Sequence, residues 1–301
     1  NLAAHLAARP EADLGDVAFT LQAGRKAFGC RLGFVAASAA EAARTLRGRA
    51  AGRIERGTAA LPPPVAFVFP GHGDERVGMA GGLYREVPAF REAVDRCAEA
   101  LGERLGIDVR VLIDPPKGSE AAAARALERT AVAQPALFVV QYALARMWMA
   151  WGLRPDAVAG ASAGEIACAC VAGAMSPEDA LTFLVERGRL VQPLPEGAML
   201  AAALSAEALA ERLVPGLVIA VSGGPEESVA SGPVEGIAAL ESRLQAERIA
   251  CKRLPVSRAF HSAMMEPIVP GLRKVLARLS LRSPDLRAAS GVTGTWIGAD
   301  L

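Results

Sequence analysis

A chain of 301 residues, 52% of them hydrophobic, is long enough to bury a large core and to form two or three folding units. Its 33 basic and 32 acidic residues leave a net charge of +1, so no field draws nucleic acid or an anionic lipid surface, and an aromatic content of 5% argues against base stacking. No run of about 18 apolar residues and no leader pattern occurs, which excludes a spanning helix and points to a cytoplasmic protein.

The first residues, Asn1-Leu2-Ala3-Ala4-His5, read as a cut from within a longer polypeptide. A short helix is expected at residues 2–8, ended by Pro10. An apolar stretch at 17–21 then leads to a turn at Gly24, a strand over 30–36, and an arginine- and alanine-rich helix over 39–50. So small a segment cannot build a substantial core alone. Pro62, Pro63 and Pro64 can continue neither a helix nor a central strand, so a boundary falls at 61–64.

Residues 65–69 form an uninterrupted apolar run, as expected of a parallel strand buried on both faces. The run ends in Pro70-Gly71-His72-Gly73, a turn at the carboxyl end of a strand, where α/β folds place ligands. Helical patterns follow over 90–105 and 135–151, then a short strand at 157–159 and a helical segment over 165–174. This alternation indicates an α/β layer with a parallel sheet. Strands at 199–203 and 217–221 alternate with helices at 206–213 and 234–247, which suggests a small inserted β-α-β-β-α-β subdomain. Residues 254–260 return the chain to the larger unit.

Cys30, Cys97, Cys168, Cys170 and Cys251 are scattered among apolar neighbours, and Cys168-Ala169-Cys170 lacks a second Cys or His pair at metal-ligand spacing. Buried reduced thiols and no metal site are the expectation.

Gly160-Ala161-Ser162-Ala163-Gly164, between the short strand and the helical segment, has the pattern of a nucleophile elbow. The glycines permit a turn sharp enough to expose the serine hydroxyl, and the N–H after it faces the same space. Alone the pattern also fits an ordinary tight turn. A serine hydroxyl needs a base, and the chain has three histidines. His5 lies in the peripheral segment and reads as a solvated residue. The base is therefore His72 or His261. Base after nucleophile is usual in elbow enzymes, which favours His261; a buried structural histidine is the competing reading.

Five blocks occur in order: Val65-Ala66-Phe67-Val68-Phe69-Pro70-Gly71-His72-Gly73; Gln134-Pro135-Ala136-Leu137-Phe138; the elbow with Glu165; Arg187-Gly188-Arg189-Leu190-Val191-Gln192; and Ala259-Phe260-His261-Ser262. Together they resemble the malonyl-CoA:acyl-carrier-protein transacylase family, and above all the acyltransferase domains of type I polyketide synthases. The segment from Asp16 to Arg25 resembles the linker that joins ketosynthase to acyltransferase in those synthases.

The resemblance implies an α/β fold: an α/β-hydrolase-like large subdomain with a parallel sheet (62–195 and 259–301), an inserted ferredoxin-like small subdomain (196–258), and a small α+β linker domain (1–61) before them. It implies Ser162 as nucleophile, His261 as base, and the backbone N–H groups of His72 and Ala163 as oxyanion donors. It implies a backbone carbonyl, not a carboxylate, behind the histidine, although Asp179 is available. Arg187, with its planar guanidinium, would pair with the free carboxylate of a malonyl group. Gln134, Ala161, Arg258 and Phe260 would line the acyl pocket.

Malonyl-CoA is the implied donor, with no permanently bound cofactor. The implied partners are an acyl carrier protein and a ketosynthase of the same polypeptide, with neither nucleic acid nor membrane. Phe260 beside His261 resembles malonyl-selective members, and a substituted malonyl is the alternative. A non-catalytic docking module, disfavoured by the presence of the Ser, His and Arg set, and a hydrolase, disfavoured by the Arg187 block and the linker segment, remain further alternatives.

The chain departs from the family's usual letters at four places. Ala161 replaces His, His72 replaces Gln, Arg258 replaces His and Gly291 replaces Asn. Ala161 and Arg258 put pocket selectivity in question, because they trade one imidazole for a methyl and another for a permanent cation.

Overall fold

A computed structural model describes residues 1–48, 54–58, 63–73 and 75–297. Two compact units divide at Pro64 and Val65. In the first, α1 (Leu2–Ala8), α2 (Leu14–Gln22), β1 (Cys30–Phe34), α3 (Ala39–Leu46) and β2 (Ile54–Thr58) follow in order. The apolar stretch at 17–21 is therefore helical. Asp13 caps α2 through the Asp16 N–H, and Ser38 caps α3 through the Glu41 N–H, while the Glu41 carboxylate reaches back to the Ala37 N–H. Strands β1 and β2 pair antiparallel, from Cys30 opposite Thr58 to Phe34 opposite Ile54. A small core of Leu6, Ala39, Ala42 and Ala43 holds α1 to α3. The last residues of the helix expected over 39–50, and Leu61 and Pro62 of the boundary, lie outside the described residues.

The second unit begins with β3 (Ala66–Phe69) and four helices: α4 (Gly81–Glu86), α5 (Pro88–Leu101), α6 (Val109–Ile113) and α7 (Glu120–Leu127). The long α8 (Thr130–Ala150) leads to β4 (Ala157–Gly160), α9 (Gly164–Val171) and α10 (Pro177–Val191). Helix α8 starts five residues before the expected 135, and Pro135 sits inside it. A proline there forfeits only its own bond to the carbonyl four residues back, and the helix is buried along most of its length. Phe90, Phe138, Leu112 and Leu181 anchor the core around it.

Among the described residues the sheet of this layer is three-stranded and parallel, in the order β3-β4-β9, where β9 is Arg287–Ala289. The first strand corrects one expectation. It lies at the sheet edge with Val68 70% exposed, so it is not buried on both faces. Val68 borders a groove of about 580 Å³ lined also by Met79, Leu137, Leu144, Trp148 and Leu153. An apolar run reports side-chain type, and here only one side of it has a cover.

The inserted part runs β5 (Ala198–Ala202), α11 (Ala206–Ala210), β6 (Val218–Gly224), β7 (Glu227–Gly232), α12 (Val234–Ala246) and β8 (Cys251–Arg253). Its antiparallel sheet has the order β6-β7-β5-β8. Leu200, Leu209, Ile237, Leu240 and Leu244 form its own core under the two helices. A 3₁₀ turn at Ala263–Ile268 and α13 (Val269–Leu276) bring the chain back. Cys97, Cys168 and Cys170 are buried as expected, but Cys251 is only partly covered and Cys30 is exposed; all are free thiols.

Candidate active site

Ser162 stands between the end of β4 and the start of α9, with φ of 51°. An L-residue in the left-handed region carries about 1 kcal/mol or more of strain, held here by the elements on either side. The elbow is closed by packing against the end of β3. A side chain on Gly164 would begin 2.3 Å from the Phe69 carbonyl oxygen and 2.5 Å from that of Pro70, so only hydrogen fits. The Ala161 N–H donates to Phe69 O at 2.9 Å, tying the two strand ends together.

His261 Nε2 lies 2.8 Å from Ser162 Oγ. Its backbone also adopts a left-handed conformation, with φ of 60°. Burial and then the positive charge of Arg187 push its pKa below the ordinary imidazole value, against a smaller opposing pull from Glu165. The ring is therefore neutral near pH 7 and able to accept a proton. Among the described residues nothing accepts from His261 Nδ1. Asp179 is no third member, since its Oδ2 accepts from the Ser280 N–H.

His72 has a different partner. Its Nδ1 lies 2.5 Å from Glu75 Oε1, and Glu75 Oε2 accepts from the Gly73 N–H at 2.8 Å. Burial pushes the Glu75 carboxyl up, but the hydrogen bond and charge of His72, with backbone donors, outweigh it and hold it below the usual range. An ionised carboxylate only accepts, so His72 Nδ1–H donates to it. Of the two histidines weighed as base, it is His261 and not His72 that meets Ser162. Among the described residues neither the His72 nor the Ala163 peptide N–H has an acceptor, and Ala163 opens the N-terminus of α9.

Arg187, on α10, is largely withdrawn from water, which lowers its pKa. Its Nη1 donates to Oε1 of buried Gln134, and its guanidinium lies 5.6 Å from the centre of the Phe260 ring. No carboxylate pairs with it among the described residues. A cation so placed has an open valence for an anion.

A family model described as acyl transferase domain matches residues 66–295. The chain belongs to that family. Residues 1–46 match a second model, described as the C-terminal part of CurL-like polyketide synthases. The acyltransferase is 38% identical over its full length to a phenolphthiocerol synthesis type I polyketide synthase of Mycobacterium marinum, and 37% identical to polyketide synthase GfsA of Streptomyces halstedii. It spans only 14% and 4% of those polypeptides.

Among solved structures, the acyl transferase domain of ZmaA superposes with a TM-score of 0.87 at 33% identity, covering 100% of this chain and 70% of that one. The malonyl CoA-acyl carrier protein transacylase of Coxiella burnetii gives 0.69 at 29% identity, over 78% and 75% of the two chains. The chain is thus an acyltransferase domain of the type I polyketide synthase kind, with the two-subdomain α/β fold of its relatives.

Within this acyltransferase the remaining expected residues part company. Phe260 is buried, and its ring meets His72 edge-on at 6.0 Å. Ala161 is exposed beside Ser162. Arg258 is only 9% exposed, and its bonds run to Val191 O, Gln192 O and Ser257 O at 3.4, 2.7 and 2.8 Å. It caps the carbonyl end of α10 and bonds to none of Ser162, His261 or Arg187. Sequence reasoning missed Glu75 and Gln141, and placed Glu165 in the elbow block without its partner. Gln141 Nε2 donates to Pro70 O at 2.7 Å from within α8. The Glu165 carboxylate accepts from Gly291 N at 2.8 Å, and a side chain at 291 would begin 2.6 Å from that oxygen. Neither residue lies on a periodic face that announces a partner so distant in sequence.

Proposed function

We propose that the domain moves a malonyl group from coenzyme A to the phosphopantetheine thiol of an acyl carrier protein, through an ester on Ser162. The observation that carries this reading is the carboxylate-free Arg187 guanidinium beside the Ser162–His261 pair. Ser162 Oγ attacks the thioester carbonyl as His261 Nε2 takes its proton. The His72 and Ala163 N–H groups receive the oxyanion. The C–S bond breaks, and His261 returns the proton to the coenzyme A sulfur. The carrier thiol then repeats the sequence in reverse roles, giving up its proton to His261 and releasing Ser162.

Arg187 holds the distal carboxylate by two parallel hydrogen bonds, and Phe260 crowds the α-carbon. Malonyl is thereby preferred over a substituted malonyl, a difference of about 1–3 kcal/mol for one methyl. Among the described residues no group of three or more His, Cys, Asp or Glu could hold a metal, and no step above calls for one. A ketosynthase in the same polypeptide is the natural neighbour, in keeping with the multidomain relatives.

Intact-mass measurement with malonyl-CoA tests the reading. The wild type is expected to gain one malonyl group and lose it on adding carrier protein, while Ser162→Ala gains nothing. A wild type that never gains mass would sink the acyl-serine scheme, and one that releases free malonate faster than it loads the carrier would make the domain a hydrolase.

A further inference from the structure

The oxyanion donor at His72 sits on a turn, and a turn holds a peptide N–H in place only if something else fixes it. Two side chains grip this one. Gln141 takes the Pro70 carbonyl from α8, and Glu75 takes the other end with both of its oxygens. One oxygen faces the His72 ring and the other accepts from the Gly73 N–H, so the residue's side chain and the following peptide are pinned together. The His72 peptide N–H lies between these two fixed points, with no acceptor of its own among the described residues.

The turn also touches the nucleophile directly. A side chain on Gly71 would begin 3.2 Å from Ala161 O and 3.5 Å from Ser162 Cβ. A swing of this peptide would therefore move the donor relative to Ser162 and not merely in solvent. Glu75 is nearly closed off, with 6% of its side chain exposed, so water competes little for either bond. The His72 ring, steadied by Glu75, in turn stands edge-on to Phe260, which also carries the Arg187 guanidinium on its face.

We propose that Glu75 is a positioning residue for acyl transfer: it locks the 70–73 turn so that the His72 peptide N–H stays aimed at the thioester oxygen. The inference rests on the acyl-serine reading above. Glu75 touches no reacting atom and acts through His72 and Gly73. Its contribution appears when charge develops on the oxygen, not when malonyl-CoA first binds through Arg187.

The test is rapid-mix acylation of the domain by malonyl-CoA, followed by intact mass. The plateau counts reactive serines, and the rate constant refers to those serines alone. Glu75→Ala is expected to lower the saturating rate constant about tenfold or more, given that removing an oxyanion donor outright costs 100- to 1,000-fold. Half-saturation by malonyl-CoA and the plateau should stay as in wild type. Glu75→Gln keeps the shape but can accept from only one of the two N–H groups, and should fall between.

A purely structural role would lower the plateau and leave the rate per serine unchanged; that result overturns the proposal, as does a wild-type rate in Glu75→Ala. Should Glu75→Ala fail to fold, Glu75→Gln must still acylate several-fold slower at unchanged half-saturation, and a wild-type rate there overturns the proposal too. A wild type that never acylates overturns this inference together with the function it rests on, whereas normal wild-type acylation with indifferent Glu75 variants removes this inference alone.

Discussion

Ser162 and His261 are two of the four non-glycine residues with positive φ among the described positions. Backbone strain is thus concentrated where the hydroxyl and the imidazole must meet at 2.8 Å, and the surrounding packing holds it there. Arg187 adds an electrostatic constraint to this geometry. Its charge adds to burial in disfavouring imidazolium at His261, so the ring stays neutral to lower pH than a free imidazole would. Replacing Arg187 by Gln removes that charge, so the His261 pKa should rise. The acid limb of acylation should then move to higher pH, because protonation disables the base sooner as pH falls. A ring-proton titration of His261 in the Ser162→Ala background checks the sign without needing turnover. A pKa that stays put or falls on Arg187→Gln would refute the coupling.

At the level of elements, α10 shows what sequence could and could not reveal. Ser176 caps its first turn through the Asp179 N–H, Pro177 opens it, and acidic residues follow, all ordinary helix-start signals. Its far end carries no such signal, because the cap is Arg258, 67 positions beyond Val191. That distance is why Arg258 reads as a pocket residue in sequence and as a helix cap in space. The β-α-β-β-α-β order was legible from alternation, yet neither β7 nor β8 was placed, and Cys251-Lys252-Arg253 has no apolar period and pairs with the edge that β5 offers.

The elbow was legible because its two glycines mark the turn in the sequence itself, Gly160 with a Cβ that would meet Glu165 N at 2.5 Å and Gly164 with one that would meet the distant Phe69 carbonyl at 2.3 Å, whereas the Glu75 grip depends on a turn that no periodicity marks. For Arg258 the expected outcome follows from its bonds. Arg258→Met should cost about 2 kcal/mol of stability, since carbonyls bonded to a cation lose their partner. The ratio of malonyl to methylmalonyl adduct should not change. Urea midpoints and competition by mass, run on one preparation, separate the two effects, and a changed adduct ratio at unchanged stability would return Arg258 to the pocket.

Among the described residues the acyltransferase body has three apolar clusters, and their arrangement bears on how freely its selectivity can be altered. One surrounds α8, one lies under the small sheet, and a third of Val191, Met199, Val229, Phe260 and Ile268 joins the end of α10 to that sheet. Phe260 belongs to the joint and at the same time presents its ring to His72 and Arg187. The residue proposed to select the acyl group is therefore also one that joins α10 to the small sheet. At 5% exposure, truncation to Ala should cost roughly 3–5 kcal/mol, a large part of the stability of an ordinary domain. Against this, the gain in methylmalonyl acceptance is bounded by about 1–3 kcal/mol for one methyl. Phe260→Ala should therefore lose folded protein faster than it gains breadth, while Phe260→Leu keeps most of the joint and opens part of the space. Adduct ratios from an equimolar malonyl- and methylmalonyl-CoA mixture, read beside denaturation midpoints for both variants, decide the matter. A stable Phe260→Ala with relaxed selectivity would show that the joint does not depend on this ring.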